Sequence, residues 1–106
     1  MAYQDLGPKE FLAAYNSSDN AILIDVRTAA EIADGSIDGH IAIDIQRPGF
    51  TEKVAELPKD KAYFIYCRSG NRSGQACRYM ATQGFEQLYN MKGGMLELAE
   101  TDFGDA

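Results

Sequence analysis

Each short apolar run of the chain is followed by a segment with helical spacing, and this repeated order limits the possible folds more than any other feature. Apolar or alternating runs occupy residues 21–25, 41–45, 62–66 and 85–91. The run at 62–66 is aromatic and β-branched, which is typical of a strand buried on both faces. Strands that alternate with helices need crossover connections. We therefore predict an α/β fold with a mostly parallel sheet and helices on both faces.

The segments between these runs carry signals for helix starts and stops. Pro8 suits a first helical position, and Thr28 with Glu31 has the spacing of a capping box. Gly84 stands where a left-handed C-terminal cap belongs. The predicted helices cover residues 8–15, 28–34, 49–57, 73–83 and 95–99.

Length and composition place the chain among single folded domains. Its 106 residues are 45% hydrophobic and 25% charged, as in an ordinary globular chain. We predict one domain over residues 1–106, without a linker or an internal repeat. The net charge of -6 opposes the broad phosphate contact by which proteins bind nucleic acid, so any anion site has to be a local positive pocket.

The N-terminus and the cysteine content favour a cytoplasmic location. Residues 1–5 form neither a basic nor an apolar leader region, and no run approaches the roughly 18 apolar residues of a membrane span. Two cysteines cannot build a dense disulfide framework, which indicates thiols of a reducing compartment. We expect a cytoplasmic protein that binds neither membrane nor nucleic acid, and the oligomeric state stays open.

One loop holds the unusual chemistry. Residues 67–74 connect the strongest predicted strand to the clearest predicted helix. In an open α/β sheet, ligands bind where the carboxyl end of a strand enters a helix, because free N–H groups point outward there. Cys67 stands at this place, and the helix N-terminus with the guanidinium groups of Arg68 and Arg72 favours its thiolate. Small residues that allow a tight turn with inward N–H groups complete the loop: Ser69, Gly70 and Asn71.

The other candidate side chains favour structural roles. Cys77 lies in an apolar helical stripe with Met80, so we expect core packing more than a resolving-thiol role. His40, the only histidine, has no Ser or Cys beside it and is expected to be structural more than a general base. One His and two Cys ten residues apart lack the spacing of metal ligands. We predict neither a metal nor an organic cofactor.

The length of the loop distinguishes between two kinds of chemistry. Phosphate-cleaving cysteine loops place five residues between the nucleophile and an arginine, whereas four residues lie between Cys67 and Arg72. A ring that is one residue shorter is too narrow for phosphate and suits a single extra atom on the cysteine sulfur. The loop therefore points to sulfur transfer through a persulfide.

With these motifs the chain resembles a single-domain rhodanese, a sulfurtransferase. The matching motifs cover residues 23–27, 35–41, 66–73, 84–85 and 92–95. The resemblance implies a parallel five-stranded sheet flanked by helices on both faces. It also implies that Cys67 takes the outer sulfur of thiosulfate or a similar donor. The backbone N–H groups of residues 68–72 would then hold the persulfide until a thiol or cyanide acceptor removes its sulfur.

The predicted site has Cys67 as its nucleophile and six substrate-binding residues, Arg68, Ser69, Gly70, Asn71, Arg72 and Ser73. Its partners are a small sulfur-donor anion and a thiol acceptor, a protein thiol included. Two alternatives stay open: a persulfide carrier or protein-binding module with little small-molecule turnover, and, less favoured, an arsenate reductase or phosphatase on the same fold. The physiological donor and acceptor stay open as well.

The remaining motif residues bear on packing and on the rim of the site. Arg27, which the family places near the site, is expected to form a structural ion pair with Glu31 or a neighbouring carboxylate. Arg47, at the pocket rim in the family, is expected to be a solvated charge more than a substrate-steering residue. The chain departs from the family's usual residues at four positions that affect packing and acceptor access: Ser36, Asp38, His40 and Leu98.

Overall fold

The computed structural model describes residues 2–101 and has a five-stranded parallel sheet between two layers of helices. The strands are β1 (Gln4–Leu6), β2 (Ala21–Asp25), β3 (Ile41–Ala42), β4 (Ala62–Tyr66) and β5 (Gln87–Met91). The helices are α1 (Pro8–Ser17), α2 (Ala29–Ala33), α3 (Phe50–Ala55), α4 (Asn71–Thr82) and α5 (Gly94–Glu100). Every neighbouring pair in the order β1-β5-β4-β2-β3 is parallel, which confirms the predicted α/β class.

The central strand β4 supplies side chains to the cores on both faces of the sheet. All five of its residues are buried. Tyr63 and Ile65 pack in one cluster with Val54 of α3 and Cys77 of α4. The other face buries Phe64 and Tyr66 with Phe11 of α1, and Leu98 of α5 packs against this cluster. The expected cover of helices on both faces is therefore confirmed, because apolar side chains of β4 alternate between the two layers.

The two strands at the centre of the sheet bring different parts of the chain to one edge. β2 pairs with β4 in a register that places Asp25 opposite Tyr66. The N–H of Val26 donates to the carbonyl oxygen of Tyr66 at 3.2 Å, so the two chains leave the sheet side by side. Arg27 follows Val26 and Cys67 follows Tyr66, so both residues lie at the same carboxyl edge of the sheet.

The helix starts follow local capping chemistry. In α2 the capping box forms as predicted, since Thr28 accepts from the Glu31 N–H at 3.3 Å and Glu31 accepts from the Thr28 N–H at 3.1 Å. Helix α4 begins two residues earlier than predicted, because Gly70 adopts a left-handed φ of 94° and accepts the Gly74 N–H at 3.0 Å. No helix within residues 2–101 combines the length and the apolar character needed to cross a membrane.

Three strands differ from the expectation. β5 begins at Gln87, two residues after the start of the predicted run 85–91. β1 was not predicted, since it has only three residues at the sheet edge and two of them, Gln4 and Asp5, are exposed. The strand expected over 41–45 is limited to Ile41–Ala42, although the N–H of Ile43 still donates to the Asp25 carbonyl at 3.0 Å. Short edge strands therefore flank a sheet whose three longer strands lie in the middle.

Candidate active site

Cys67 directly follows β4 and lies at the carboxyl edge of the sheet, between β2 and β5. Its side chain is buried. A short loop, Arg68 to Gly70, then reverses the chain into α4. The predicted residues Asn71, Arg72 and Ser73 consequently lie in the first turn of α4 and not in the loop itself.

Hydrogen-bond donors of Gly70 and Ser73 surround the Cys67 sulfur. The N–H groups of Gly70 and Ser73 lie 3.1 and 3.4 Å from Sγ, and the Ser73 hydroxyl oxygen lies 3.3 Å from it. Two of these donors belong to the backbone, so their positions are set by the fold of the loop. Donors that converge on one atom stabilise negative charge there.

The hydrogen bonds change the acidity of Cys67. Burial would raise the pKa of its thiol, because it disfavours the charged form. Hydrogen bonds from the side chain and backbone of Ser73 and from the backbones of Ser69 and Gly70 outweigh burial and lower the pKa below its ordinary value of 9.0. The direction agrees with the prediction, but the cause is short-range hydrogen bonding, whereas the prediction relied on guanidinium charge and the helix N-terminus.

Gly70 is required by the shape of the loop. Its φ of 94° is in the left-handed region that favours glycine. A Cβ at this position would lie 3.1 Å from the Gly93 nitrogen and 3.2 Å from the Met91 oxygen. The loop therefore packs directly on the backbone that follows β5, and this contact aims the Gly70 N–H at the sulfur.

Helix α5 holds the loop from its other side. The N–H groups of Met95 and Leu96 donate to the carbonyl oxygens of Cys67 and Arg68, each at 3.0 Å. A Cβ on Gly94, whose φ is 60°, would lie 2.6 Å from the Cys67 oxygen and would overlap the Arg68 carbonyl. The sequence alone indicates the Gly93-Gly94 pair only through the family resemblance, because the contact of this pair with the loop depends on tertiary packing.

Arg72 makes a two-point ion pair beside the sulfur. Its Nη1 and Nη2 lie 2.8 and 2.7 Å from Oε1 and Oε2 of Glu31. Glu31 raises the pKa of Arg72 through this hydrogen bond, and the charge of Cys67 contributes in the same direction. Arg72 is therefore held in place next to Cys67, while much of its charge is balanced by Glu31.

The other predicted loop side chains lie at the surface. Arg68 is exposed and lines a cavity of about 260 Å³ together with Met95 of α5. Ser69 and Asn71 are also exposed and line a separate polar cavity of about 390 Å³ on the β1 side of the loop. The structure thus brings backbone N–H groups of the predicted residues to the sulfur, whereas the side chains of Arg68, Ser69 and Asn71 line the two cavities beside the loop.

Asn90 is a site residue that sequence reasoning missed. It is buried at the end of β5, and its side-chain oxygen accepts a short hydrogen bond from the Ser73 hydroxyl. Its side-chain nitrogen donates to Asp5 at 2.9 Å and to the Gly70 carbonyl at 3.3 Å. The available signal was an Asn between the apolar residues Tyr89 and Met91 of this strand, because a buried amide usually has fixed hydrogen-bond partners.

Arg27 has a structural partner, as predicted, and that partner is Asp25. Its Nε and Nη2 lie 3.0 and 2.8 Å from the two oxygens of the buried Asp25 carboxylate. This hydrogen bond raises the pKa of Arg27. The carboxylate of Glu31, which was the named candidate, instead binds Arg72.

Next to this ion pair lies an apolar groove of about 720 Å³ between α2 and α3. Arg47, which is 76% exposed and 4.0 Å from Asp44, stands at its rim. The groove is larger than the cavities on either side of the loop, but the sulfur with the lowered pKa, that of Cys67, lies at the carboxyl edge of the sheet. We therefore regard the groove as a neighbour of the site and not as its reactive centre.

Cys77 and His40 occupy the structural positions that the sequence favoured. Cys77 is buried in the core cluster on the α4 side, and burial raises the pKa of its thiol to about 12. His40 Nδ1 lies 2.9 Å from the carbonyl oxygen of Ile37 and, facing a carbonyl, acts as a donor. Neither side chain forms a hydrogen bond with Cys67.

Known proteins share both the sequence motifs and the fold. The family model of the Rhodanese-like domain matches residues 7–101. A protein named Sulfurtransferase from Allochromatium vinosum is 40% identical over 82 residues, which cover 77% of this chain and 75% of the relative. A tRNA uridine(34) hydroxylase from Nitrobacter winogradskyi is 32% identical over 88 residues, but the match covers only 34% of that longer protein.

A solved structure extends the similarity to the whole fold. The crystal structure of SSP1007 from Staphylococcus saprophyticus has a TM-score of 0.79 and 27% sequence identity, and the match covers 95% of this chain and 96% of that one. The family match spans both the Cys67 loop and the Gly93-Gly94 segment that packs on it. The chain therefore belongs to the family of rhodanese-like domains.

Proposed function

We propose that the protein is a sulfurtransferase that carries sulfane sulfur on Cys67 as a persulfide. The observation that carries this proposal is the ring of donors around a buried sulfur, at 3.1, 3.3 and 3.4 Å. Backbone donors that converge on one sulfur suit an anion of a single atom. Membership of the rhodanese-like family, with a relative named Sulfurtransferase, supports the same class of reaction.

The first step loads the enzyme from a donor such as thiosulfate. The Cys67 thiolate attacks the outer, sulfane sulfur of the donor and forms a new S–S bond. The S–S bond within thiosulfate breaks, and its electron pair leaves with sulfite. The thiolate is the reacting form, so the hydrogen bonds that lower the pKa of Cys67 increase the fraction that can attack.

The second step unloads the sulfur. An acceptor thiolate, or cyanide, attacks the outer sulfur of the persulfide, and the electron pair of the broken S–S bond returns to Cys67. The products are an acceptor persulfide, or thiocyanate, and the original Cys67 thiolate. The donors from Gly70 and Ser73 stabilise the leaving thiolate in this step as they do in the resting enzyme.

The charges around the opening attract an anionic donor to an otherwise acidic protein. Arg68 is exposed immediately beside the nucleophile, whereas Arg72 is oriented by Glu31. The net charge of the whole chain is -6, so attraction of a sulfur-donor anion has to act locally. We also propose a cytoplasmic location, where thiol acceptors stay reduced.

Mass spectrometry after incubation with thiosulfate tests this proposal. We expect one additional sulfur atom on the peptide that contains Cys67, removable by cyanide or a reducing thiol. Cys77→Ser serves as the matched control and should still acquire the sulfur. A protein that gains no sulfur, or Cys67→Ser that still gains it, would exclude the proposed intermediate.

Acceptor assays separate an enzyme from a carrier. A sulfurtransferase of small molecules should release sulfite in repeated turnovers with cyanide or a small thiol. Slow turnover with these acceptors combined with fast transfer to a protein thiol would indicate a persulfide carrier. Cys67-dependent hydrolysis of an aryl phosphate ester would instead contradict sulfur transfer and favour a phosphatase.

A further inference from the structure

The Ser73 hydroxyl lies between two hydrogen-bond acceptors. Its oxygen is 3.3 Å from the Cys67 sulfur and forms a short hydrogen bond with Oδ1 of Asn90. Ser73 is 0% exposed and Asn90 is 4% exposed, so bulk water does not compete for these groups. A hydroxyl has one proton and can donate it to only one of the two acceptors at a time.

The orientation of the Asn90 amide follows from its other contacts. Its nitrogen lies 2.9 Å from a carboxylate oxygen of Asp5 and 3.3 Å from the Gly70 carbonyl oxygen. Both of these partners accept hydrogen bonds, so the NH₂ group has to face them and the amide oxygen has to face Ser73. An amide oxygen can only accept, and therefore Ser73 donates to Asn90 while Cys67 is a neutral thiol.

Ionisation of the sulfur changes this balance. A thiolate only accepts, and hydrogen bonds to charged groups are stronger than those between neutral groups. The backbone N–H groups of Gly70 and Ser73 already point at the sulfur. The Ser73 hydroxyl can become the third donor to the sulfur only if its proton turns away from Asn90. The buried Asn90 oxygen then loses its hydrogen-bond donor.

We propose that Asn90 is a positioning residue for Cys67, which holds the Ser73 hydroxyl proton while the sulfur is neutral and releases it to the sulfur when the sulfur is an anion. No covalent bond changes, because one hydrogen-bond proton turns from one acceptor to the other. In the resting protein this anion is the Cys67 thiolate, and that part of the inference is independent of the proposed function. In the sulfur-loaded protein the anion is the Cys67 persulfide, and that part rests on the proposed function.

Several other charged and titratable groups lie near the sulfur. They include Arg68 in the loop, Arg72 and Cys77 on α4, Glu31 on α2, the Asp25–Arg27 pair at the end of β2, and Asp5 on β1, which contacts Asn90. The pKa of Glu31 is lowered to about 2 and that of Cys77 is raised to about 12. Neither group therefore changes its charge where Cys67 titrates.

The test is a titration of Cys67 by the ultraviolet absorbance of its thiolate, in a Cys77→Ser background with one thiol. Asn90→Leu frees the hydroxyl and should lower the pKa of Cys67 by about 0.5–1 unit. Ser73→Ala should raise the pKa. In the Ser73→Ala background, Asn90→Leu should have no further effect, because no hydroxyl is left to release.

The double variant distinguishes the inference from simple damage to the loop. Asn90→Leu also removes the hydrogen bond to Gly70, and a displaced loop would change the pKa whether or not Ser73 keeps its hydroxyl. An unchanged or raised pKa in Asn90→Leu, or the same lowering in the presence and absence of the Ser73 hydroxyl, would overturn the proposal.

A measurement on the native sequence avoids variants that fail to fold. The ¹³C chemical shift of the Asn90 side-chain carbonyl should follow the ionisation of Cys67, because the carbonyl loses its donor in that step. The shift should stay flat in Ser73→Ala. A flat shift in the native protein across the Cys67 titration would refute the proposal. These readouts report ionisation and not sulfur transfer, so failure of the sulfurtransferase assay would leave them interpretable.

Discussion

Arg72 and Glu31 are joined by two hydrogen bonds of 2.8 and 2.7 Å, which connect the first turn of α4 to α2. The same carboxylate closes the capping box with Thr28. The Glu31 carboxylate therefore stabilises the start of one helix and orients a guanidinium beside Cys67 at the start of another helix. Because the partner of Arg72 is a carboxylate of the protein, the positive potential at the sulfur is smaller than two free arginines would create.

This ion pair should make stability depend on acid pH. The hydrogen bond with Arg72 lowers the pKa of Glu31 from 4.5 to about 2. A carboxylate with a depressed pKa in the folded state stabilises the fold above its unfolded-state pKa, and the contribution disappears as pH falls from about 4.5 towards 2. Because the Glu31 side chain is 28% exposed, we expect a loss of only about 1 kcal/mol.

Denaturant unfolding at a series of pH values measures this effect. Glu31→Gln should be less stable than the native protein near neutral pH, and its stability should fall less steeply between pH 4.5 and 2. Glu86→Gln, which alters an exposed carboxylate, serves as the control and should keep the native slope. Equal slopes in Glu31→Gln and the native protein would contradict the assigned role of the pair.

Arg27 and Arg47 should differ strongly when each is replaced by alanine. Arg27 is 6% exposed and its partner Asp25 is 0% exposed, so Arg27→Ala leaves a buried carboxylate without its counter-charge. Removal of one partner from such a pair costs about 3–5 kcal/mol. Arg47 is 76% exposed, and Arg47→Ala should change the free energy of unfolding by less than about 0.5 kcal/mol.

The two variants can be compared by chemical denaturation under one set of conditions. The same experiment addresses an alternative in which Arg27 belongs to the anion-binding site. In that case Arg27→Ala would keep native stability and lose affinity for thiosulfate. If the Asp25–Arg27 pair is structural, Arg27→Ala should instead lower the free energy of unfolding.

Two of the three longer strands could be predicted residue by residue, whereas β5 begins two residues later than predicted and the edge strands were missed or shortened. The runs at Ala21–Asp25 and Ala62–Tyr66 are mostly apolar and bounded by turn residues, and the strands match them at both ends. β1 has three residues, and its partner β5 lies near the other end of the sequence. A strand this short shows no detectable pattern of hydrophobic residues. It forms only because the folded sheet offers the free edge of β5 for pairing.

The site shows the same limit. Cys67 and its loop could be identified as a candidate site because a cysteine at the end of a strand, small residues and a helix start are adjacent in sequence. Asn90 contacts Gly70 and Ser73 from another strand, and Gly94 contacts the loop from the start of another helix. Such contacts arise from tertiary packing, which local spacing does not encode.

Gly94→Ala should destabilise the protein, while Gly49→Ala should not. Gly94 has a φ of 60°, and an added Cβ would meet the Cys67 oxygen at 2.6 Å and overlap the Arg68 carbonyl. Left-handed backbone alone costs a non-glycine residue about 1–2 kcal/mol, so we expect a loss of at least about 2 kcal/mol with the overlap included. Gly49 has a φ of -82°, and a Cβ added there would meet no atom within 4 Å, so it is the matched control.

Thermal or denaturant unfolding of the two variants measures this difference, and the Cys67 titration adds a local readout. Displacement of the loop in Gly94→Ala should move the Gly70 N–H away from the sulfur and raise the pKa of Cys67 towards its ordinary value. Native stability together with a native titration curve in Gly94→Ala would show that the loop does not depend on this close contact.

Arg68→Ala should weaken the binding of an anionic sulfur donor more than it slows the chemical step. Arg68 is exposed next to Cys67, so it can attract thiosulfate but does not donate a hydrogen bond to the sulfur. Removal of one exposed charge near a dianion should raise KM about 3–10-fold at low salt and leave kcat within about twofold. The difference between the variant and the native protein should shrink as ionic strength rises, because salt screens an exposed charge.

Lys59→Ala is the matched control for this effect. Lys59 is also exposed, but it precedes β4 and therefore lies at the amino edge of the sheet, away from Cys67 at the carboxyl edge. Its loss changes the net charge by the same amount and should leave KM nearly unchanged. Equal increases of KM in both variants would mean that thiosulfate responds to total charge, and a fall of kcat at constant KM in Arg68→Ala would assign Arg68 to the chemical step.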